Sequence, residues 1–180
     1  MRDVRPWMVR GAKRLFEHPL FSLDEQSLEA ENGDRRTAFV LHPADWVNII
    51  ALSDDDRVLL VRQWRYGLAA ESLEIPGGVV ELEEEALAAA RRELLEETGF
   101  EADEWLHLGT VEPNPAFQSN LCSSWLARGL RRIGEPEGDG EEEIRVEWAP
   151  LGRIPELISN AEIRHSLVIA AFYFYERWKS

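Results

Sequence analysis

The sequence predicts an α/β sandwich in which a mixed sheet carries two main helices, with a β-hairpin extension at the N-terminus. Three observations predict it. Two apolar runs of strand length, 46–52 (WVNIIAL) and 58–65 (VLLVRQWR), are separated only by the acidic turn 53–56. From about Glu84 strong helix formers continue with no Gly or Pro until Gly99, the pattern of a helix and its C-terminal stop. A second helical stretch, 161–178, offers Ile163, Leu167, Ile169, Ala170 and Phe174 for packing. Strands mixed with helices in this way make an α/β or α+β sandwich.

Taken in order, residues 1–20 mix Arg, Lys, Trp7, Phe16 and Pro19 without clean periodicity and are assigned no element. From 21 to 30 apolar and polar residues alternate, Glu31-Asn32-Gly33-Asp34 supplies a hairpin turn, and 37–41 form the partner strand. His42-Pro43 breaks that strand, and the runs 46–52 and 58–65 are expected to pair as a second hairpin. After a loop at 67–71, residues 73–75 lead into the Pro76-Gly77-Gly78 turn and the first helix. Residues 105–111 and 118–127 read as strands; between them the two prolines of Glu112-Pro113-Asn114-Pro115 make a rigid loop. Residues 128–140 hold four glycines and a proline and read as a mobile loop. A strand at 144–148, a short helix near 154–159 and the helix 161–178 follow. The expected division is an N-terminal arm and hairpin over 1–45 and one compact domain over 46–180.

Composition narrows the function. A chain of 180 residues with 44% apolar content can bury a full core in one domain. The net charge of −14 argues against binding the phosphate backbone of a nucleic acid, which is neutralised by clustered Lys and Arg. The single Cys122 cannot close an internal disulfide, which fits a reducing compartment, and its neighbours Leu121 and Trp125 suggest a buried strand thiol rather than a nucleophile. With neither an N-terminal apolar stretch nor an 18-residue apolar run, no membrane partner is expected and the reading is a cytoplasmic protein.

The first helix carries unusual charge. Glu93, Glu96 and Glu97 at i, i+3 and i+4 place three carboxylates on one side. Like charges at this spacing cost an isolated helix roughly 0.2–0.5 kcal/mol per pair, and they sit toward the end where the helix dipole disfavours anions. The helix therefore requires a cation. Arg92 can pair with Glu96, but one guanidinium does not neutralise three carboxylates. Hard oxygen ligands with no His or Cys nearby favour Mg²⁺, or Mn²⁺, over zinc.

Residues 78–100 resemble the Nudix box, G-x5-E-x7-R-E-U-x-E-E-x-G-U with U apolar: Gly78, Glu84, Arg92, Glu93, Leu94, Glu96, Glu97, Gly99 and Phe100 fill every specified place. One departure is Glu83, where the family more often has Gly, a difference in the turn before the helix. The resemblance implies the Nudix hydrolase family, with its α/β/α arrangement and its site on the box helix. It implies that Glu93, Glu96 and Glu97 hold one to three divalent ions with a main-chain carbonyl at Gly77 or Gly78. Arg92 then orients the carboxylates, and Glu84 is a structural residue at the helix start.

Arg62-Gln63-Trp64-Arg65, Glu74-Ile75-Pro76-Gly77-Gly78 and Pro115 are similar to the branch that hydrolyses ADP-ribose and other nucleoside diphosphate sugars. By that resemblance Arg65 contacts the substrate's phosphate or ribose, the alternative being a salt bridge to Glu74 that holds the turn. Glu74, Asn114 and Gln118 are further candidates for substrate binding. In the family a loop glutamate is the general base; Glu142 is the first candidate here and Glu141 the second, because Gly140 stands where related enzymes carry an acid. Trp7, Trp46 and Trp64 are candidates to stack on the nucleobase. The four histidines show no ligand spacing and receive no role.

The resulting expectation is a Mg²⁺-dependent hydrolase that cleaves the pyrophosphate of a nucleoside diphosphate sugar, most simply ADP-ribose to AMP and ribose 5-phosphate. The alternatives are GDP-mannose or another nucleoside diphosphate derivative, and a Nudix-like module that binds a nucleotide sugar without cutting it. Related enzymes pair through N-terminal strands, so a homodimer is expected.

Overall fold

The computed structural model of the chain describes residues 4–136 and 144–179. The chain divides into two units, Met1–Ala44 with Glu112–Leu121, and Asp45–Val111 with Cys122–Ser180. The first unit is an antiparallel sheet in the order β1 (Trp7–His18), β2 (Phe21–Ala30) and β3 (Arg35–Pro43). The expected turn is present, with Gly33 at φ +83 between β2 and β3. The third strand, β1, has no counterpart in the sequence reading. Its register slips between Val9 and Gly11 and again between Arg14 and Phe16, so its inward and outward positions are reset twice and no period of two survives. The 112–121 segment joins this unit through its backbone: Leu41 N donates to Phe117 O at 2.8 Å and Ser119 N to Leu41 O at 3.2 Å.

The second unit contains two sheets. One has the order β7 (Gly77–Val79), β4 (Trp46–Ala51), β9 (Cys122–Arg132), β8 (Phe100–Val111), and is mixed because β4 and β9 run parallel. The other is antiparallel, in the order β10 (Arg145–Pro150), β5 (Arg57–Arg65), β6 (Ala70–Glu74). The expected β4–β5 hairpin is corrected: these strands belong to different sheets and share only the isolated bridge Leu52–Val58. Both strands are apolar on both faces, and a lone two-stranded ribbon cannot cover both. Val47, Ile49, Ala51 and Leu59 pack with Ala89, Ala90 and Leu94 of α1 (Ala86–Thr98). Ile50, Leu52, Val58 and Leu60 pack with Val168, Ala171, Phe172 and Tyr175 of α3 (Ser166–Lys179). Strand alternation thus places a helix on each side, the α/β/α layering that the resemblance implies.

Three boundaries move. β9 runs to Arg132 instead of stopping at 127, pairing Leu130 and Arg132 with Ala102 and Phe100, so β8 begins directly after Gly99. Residues 128–132, expected in a mobile loop, are strand because β8 supplies their hydrogen bonds. α3 starts at Ser166 rather than 161, because Glu162 N and Ile163 N both donate back to Leu157 O, closing the preceding α2 (Ile154–Ser159) and burying Ile163 in the turn. Cys122 is fully buried in β9, and burial pushes its thiol up to about 12. Among the described residues no helix is long and apolar enough to cross a membrane.

α1 ends at the expected stop, Gly99 at φ +73 donating its N–H to Leu95 O at 2.8 Å. Before the helix Glu83, exposed, is held at φ +65, a conformation that costs a residue with a Cβ about 1–2 kcal/mol. Opposite outcomes follow at the two positions. Glu83→Gly is expected to raise the unfolding free energy by about 0.5–1 kcal/mol, and Gly99→Ala to lower it by at least about 1 kcal/mol. Urea denaturation of the two variants checks both signs.

Candidate active site

The site begins where β7 meets α1. Glu97 is buried at 7% exposure because its Oε2 accepts the Gly77 N–H at 2.9 Å. Any side chain at Gly77 would run into the Val47 carbonyl and the Asn48 side chain, and one at Gly78 would run into the Glu93 carboxylate itself. Two glycines therefore let strand backbone lie directly against two of the helix carboxylates. Small residues help from the other side: Ala89 and Ala90 are fully buried and bring α1 close to the sheet.

Arg92 gathers the rest. Its Nε and Nη2 donate to the two oxygens of Glu84 at 3.1 and 3.0 Å, and Nη2 also reaches Val79 O at 2.8 Å. Its Nη1 donates to Glu93 Oε1 at 2.8 Å and to Glu96 Oε2 at 3.1 Å. Glu84 accepts the Glu81 N–H as well, so it closes the turn before α1 while anchoring the guanidinium. The Glu84 bonds, then those of Glu93 and Glu96, raise the Arg92 pKa further above its already high ordinary value. Burial, by contrast, pushes the Glu93 carboxyl up, more strongly than Arg92 pulls it down.

One arginine faced by Glu84, Glu93, Glu96 and the nearby Glu97 leaves a surplus of negative charge, and all the donors are hard oxygens. That donor set fits a divalent cation of the Mg²⁺ type. Among the described residues no three His, Cys, Asp or Glu side chains stand at ion-holding geometry in this arrangement. Glu97 points to the Gly77 N–H, and Arg92 takes an oxygen from each of Glu93 and Glu96.

A second cluster lies at the end of β6. Arg65 meets Glu74 in a two-pronged pair, Nε to Oε1 at 3.0 Å and Nη2 to Oε2 at 2.8 Å, which is the salt-bridge alternative of the sequence reading. The Arg65 guanidinium also lies over the Trp46 ring, 5.7 Å from its centroid. His165 Nδ1 is 2.9 Å from Glu74 Oε2. Burial alone would raise the Glu74 pKa, but the bonds from His165 and Arg65 overcome it and hold the carboxyl well below the usual carboxylate range. Glu74, a candidate for substrate binding, is only 3% exposed, and both its oxygens are engaged by these neighbours.

Asn114 and Gln118 lie in the first unit, where Gln118 N donates to Asn114 O at 2.8 Å and Gln118 bridges Leu41. Trp7, also in that unit, carries the Arg36 guanidinium over its ring at 4.8 Å. Trp64 is half exposed on β5, beside Arg62, Glu71 and Arg145 in a cleft of about 400 Å³. Glu141 and Glu142 lie outside the described residues. The contact of His165 with Glu74 has no signal in the sequence, since a lone histidine beside no periodic ligand pattern gives none.

A pH dependence follows from Glu74. Its folded pKa is depressed below the ordinary 4.5, so its contribution to stability is complete above about pH 4.5 and is lost as pH falls below that value. Glu74→Gln is expected to lower stability at neutral pH by about 1–3 kcal/mol and to flatten the fall in stability below pH 4.5. Chemical denaturation of both proteins from pH 7 to pH 3 measures the difference.

The NUDIX domain family matches residues 42–172. The ADP-ribose pyrophosphatase of Mycobacterium tuberculosis is 29% identical over 162 residues, covering 89% of this chain and 78% of that protein. The methanol dehydrogenase activator of Bacillus methanolicus is 30% identical over 133 residues, covering 73% of this chain and 71% of its own length. A crystal structure of an ADP compounds hydrolase superimposes with a TM-score of 0.85 at 23% identity, covering 99% of this chain and 96% of that one, and so shares the fold. The match to the family over most of the chain, with every specified place of the box filled, makes this chain a member of the Nudix family.

Proposed function

We propose that this Nudix pyrophosphohydrolase cleaves the pyrophosphate bond of a nucleoside diphosphate sugar, most simply ADP-ribose to AMP and ribose 5-phosphate. The observation that carries the reading is the carboxylate group of α1, Glu93 and Glu97 seated on the Gly77–Gly78 backbone and Arg92 gathering Glu84, Glu93 and Glu96. Glu74, the partner of Arg65, stands three residues before Gly77 in the chain. The name of the mycobacterial relative supports the substrate class.

Glu93, Glu96 and Glu97, with a carbonyl at Gly77 or Gly78, would hold the divalent ion, Mg²⁺ or Mn²⁺. When bound, such an ion supplies positive charge to the diphosphate and acidity to water. The chain's own residues do the rest. Arg92 bridges Glu93 and Glu96 and orients both. Arg65, its guanidinium plane set by Glu74 and Trp46, binds a phosphate oxygen with little loss of side-chain freedom. Glu142, or Glu141, takes the proton of the attacking water as the new P–O bond forms and the bridging P–O bond breaks. Asn114 and Gln118 are assigned to the sugar, and the single Cys122, unable to close an internal disulfide, supports a cytoplasmic location.

The test is product analysis with Mg²⁺ and, separately, ADP-ribose, GDP-mannose, NADH, diadenosine tetraphosphate and a nucleoside triphosphate. ADP-ribose is expected to give AMP fastest, Glu97→Gln to lower kcat by about a thousandfold, and chelation of the metal to abolish turnover. ADP-ribose bound but left intact by both proteins overturns the reading in favour of a binding module.

We also infer a homodimer covered at the first unit. β1–β3 leave Met8, Val9, Leu15, Phe16 and Phe39 at least 39% exposed, more apolar surface than so small a sheet leaves bare without a partner. Light scattering at micromolar concentration is expected to give twice the mass of one chain; a monomeric mass sinks the inference.

A further inference from the structure

We propose that His165 is a positioning residue for the reaction: acting through Glu74, it holds the Arg65 guanidinium in the orientation that meets the substrate's diphosphate. The proposal rests on the function given above.

Three bonds converge on one buried carboxylate. Glu74 Oε1 accepts Arg65 Nε, and Oε2 accepts both Arg65 Nη2 and His165 Nδ1. An ionised carboxylate only accepts, so His165 presents a proton on Nδ1 whether its ring is neutral or charged. A two-pronged pair fixes Arg65 and Glu74 relative to each other, yet the two can still swing together about the Glu74 side-chain torsions. The third bond removes that freedom, because it comes from a different part of the fold. Arg65 and Glu74 belong to neighbouring strands β5 and β6, whereas His165 immediately precedes α3.

The surroundings make that bond hard to replace. The Glu74 side chain is 4% exposed, so water has little access to substitute for a lost donor. Trp46 limits Arg65 on the ring face, 5.7 Å from guanidinium carbon to centroid, but a ring face sets no angle within the guanidinium plane. The backbone of His165 has its own task, its carbonyl accepting Ile169 N in the first turn of α3. The hydrogen bond that the structure gives its ring is the one to Glu74. Orientation errors of a binding group are felt when substrate binds.

Steady-state kinetics with ADP-ribose and Mg²⁺ on the full chain test the proposal, using His165→Asn, His165→Leu, Arg65→Ala and the Arg65→Ala/His165→Leu double variant, each with a thermal melt. Asn places an amide N–H where Nδ1 stands; Leu offers none. His165→Leu is expected to raise KM about tenfold with kcat within about threefold, and His165→Asn to restore most of the loss. In the Arg65→Ala background the Leu change is expected to shift KM less than twofold, because its effect passes through Arg65. An unchanged KM in His165→Leu overturns the proposal, as does an equal rise with and without Arg65, or a loss of kcat and melting temperature that Asn does not repair. A wild-type protein that hydrolyses no nucleotide sugar refutes the function itself, and the His165 role with it.

Discussion

The bond from the Gly77 N–H to Glu97 is the constraint around which the second unit is arranged. It requires a carboxylate near the C-terminal end of α1 to be buried, which is unfavourable on its own, and a strand backbone bare enough to approach it. Gly77 and Gly78 meet the second condition, and Ala89 and Ala90 let the helix come down far enough to use it. β7 is thereby tied to β4 on one side, through Asn48 and Val47, and to α1 on the other. Loosening this junction would separate the acidic helix from the glycine backbone that Glu93 and Glu97 lie against.

Arg92 solves a related problem with one side chain. A row of carboxylates on a helix face repels itself, and a single guanidinium spread over Glu84, Glu93 and Glu96 relieves the worst of it without neutralising the group. Burial raises the Glu93 carboxyl, and its partner Arg92 lowers it less strongly. A helix optimised for stability would carry fewer acids here; this one retains a local electrostatic cost.

The Glu74 cluster follows the opposite logic. There the charges balance, Glu74 is held strongly ionised, and each oxygen is engaged. Such a buried pair rarely adds much net stability, because desolvation offsets the attraction, but it does fix direction. The second unit thus keeps an under-neutralised group on α1 and a fully satisfied one at the end of β6.

How much of this was legible depended on how far apart the determinants lie. The box, the helix and its glycine stop, the β2–β3 turn and the apolar runs are written within a few consecutive residues, and local backbone preferences translate such patterns directly. Even Glu83, out of keeping with the family at one turn, marked a real left-handed position. Other features had no local signature. β1 was hidden because its two register slips erase the alternation that announces a strand. β4 and β5 looked like a hairpin, yet went to separate sheets because each needed two covered faces, which only distant partners could supply. Residues 128–132 became strand because β8 offered them hydrogen bonds. His165 met Glu74 across 91 positions of chain. By itself the sequence determined most of the elements and the residues of the box; only the tertiary structure decided which strands share a sheet and which histidine meets Glu74, since pairing and burial are settled by residues remote in sequence.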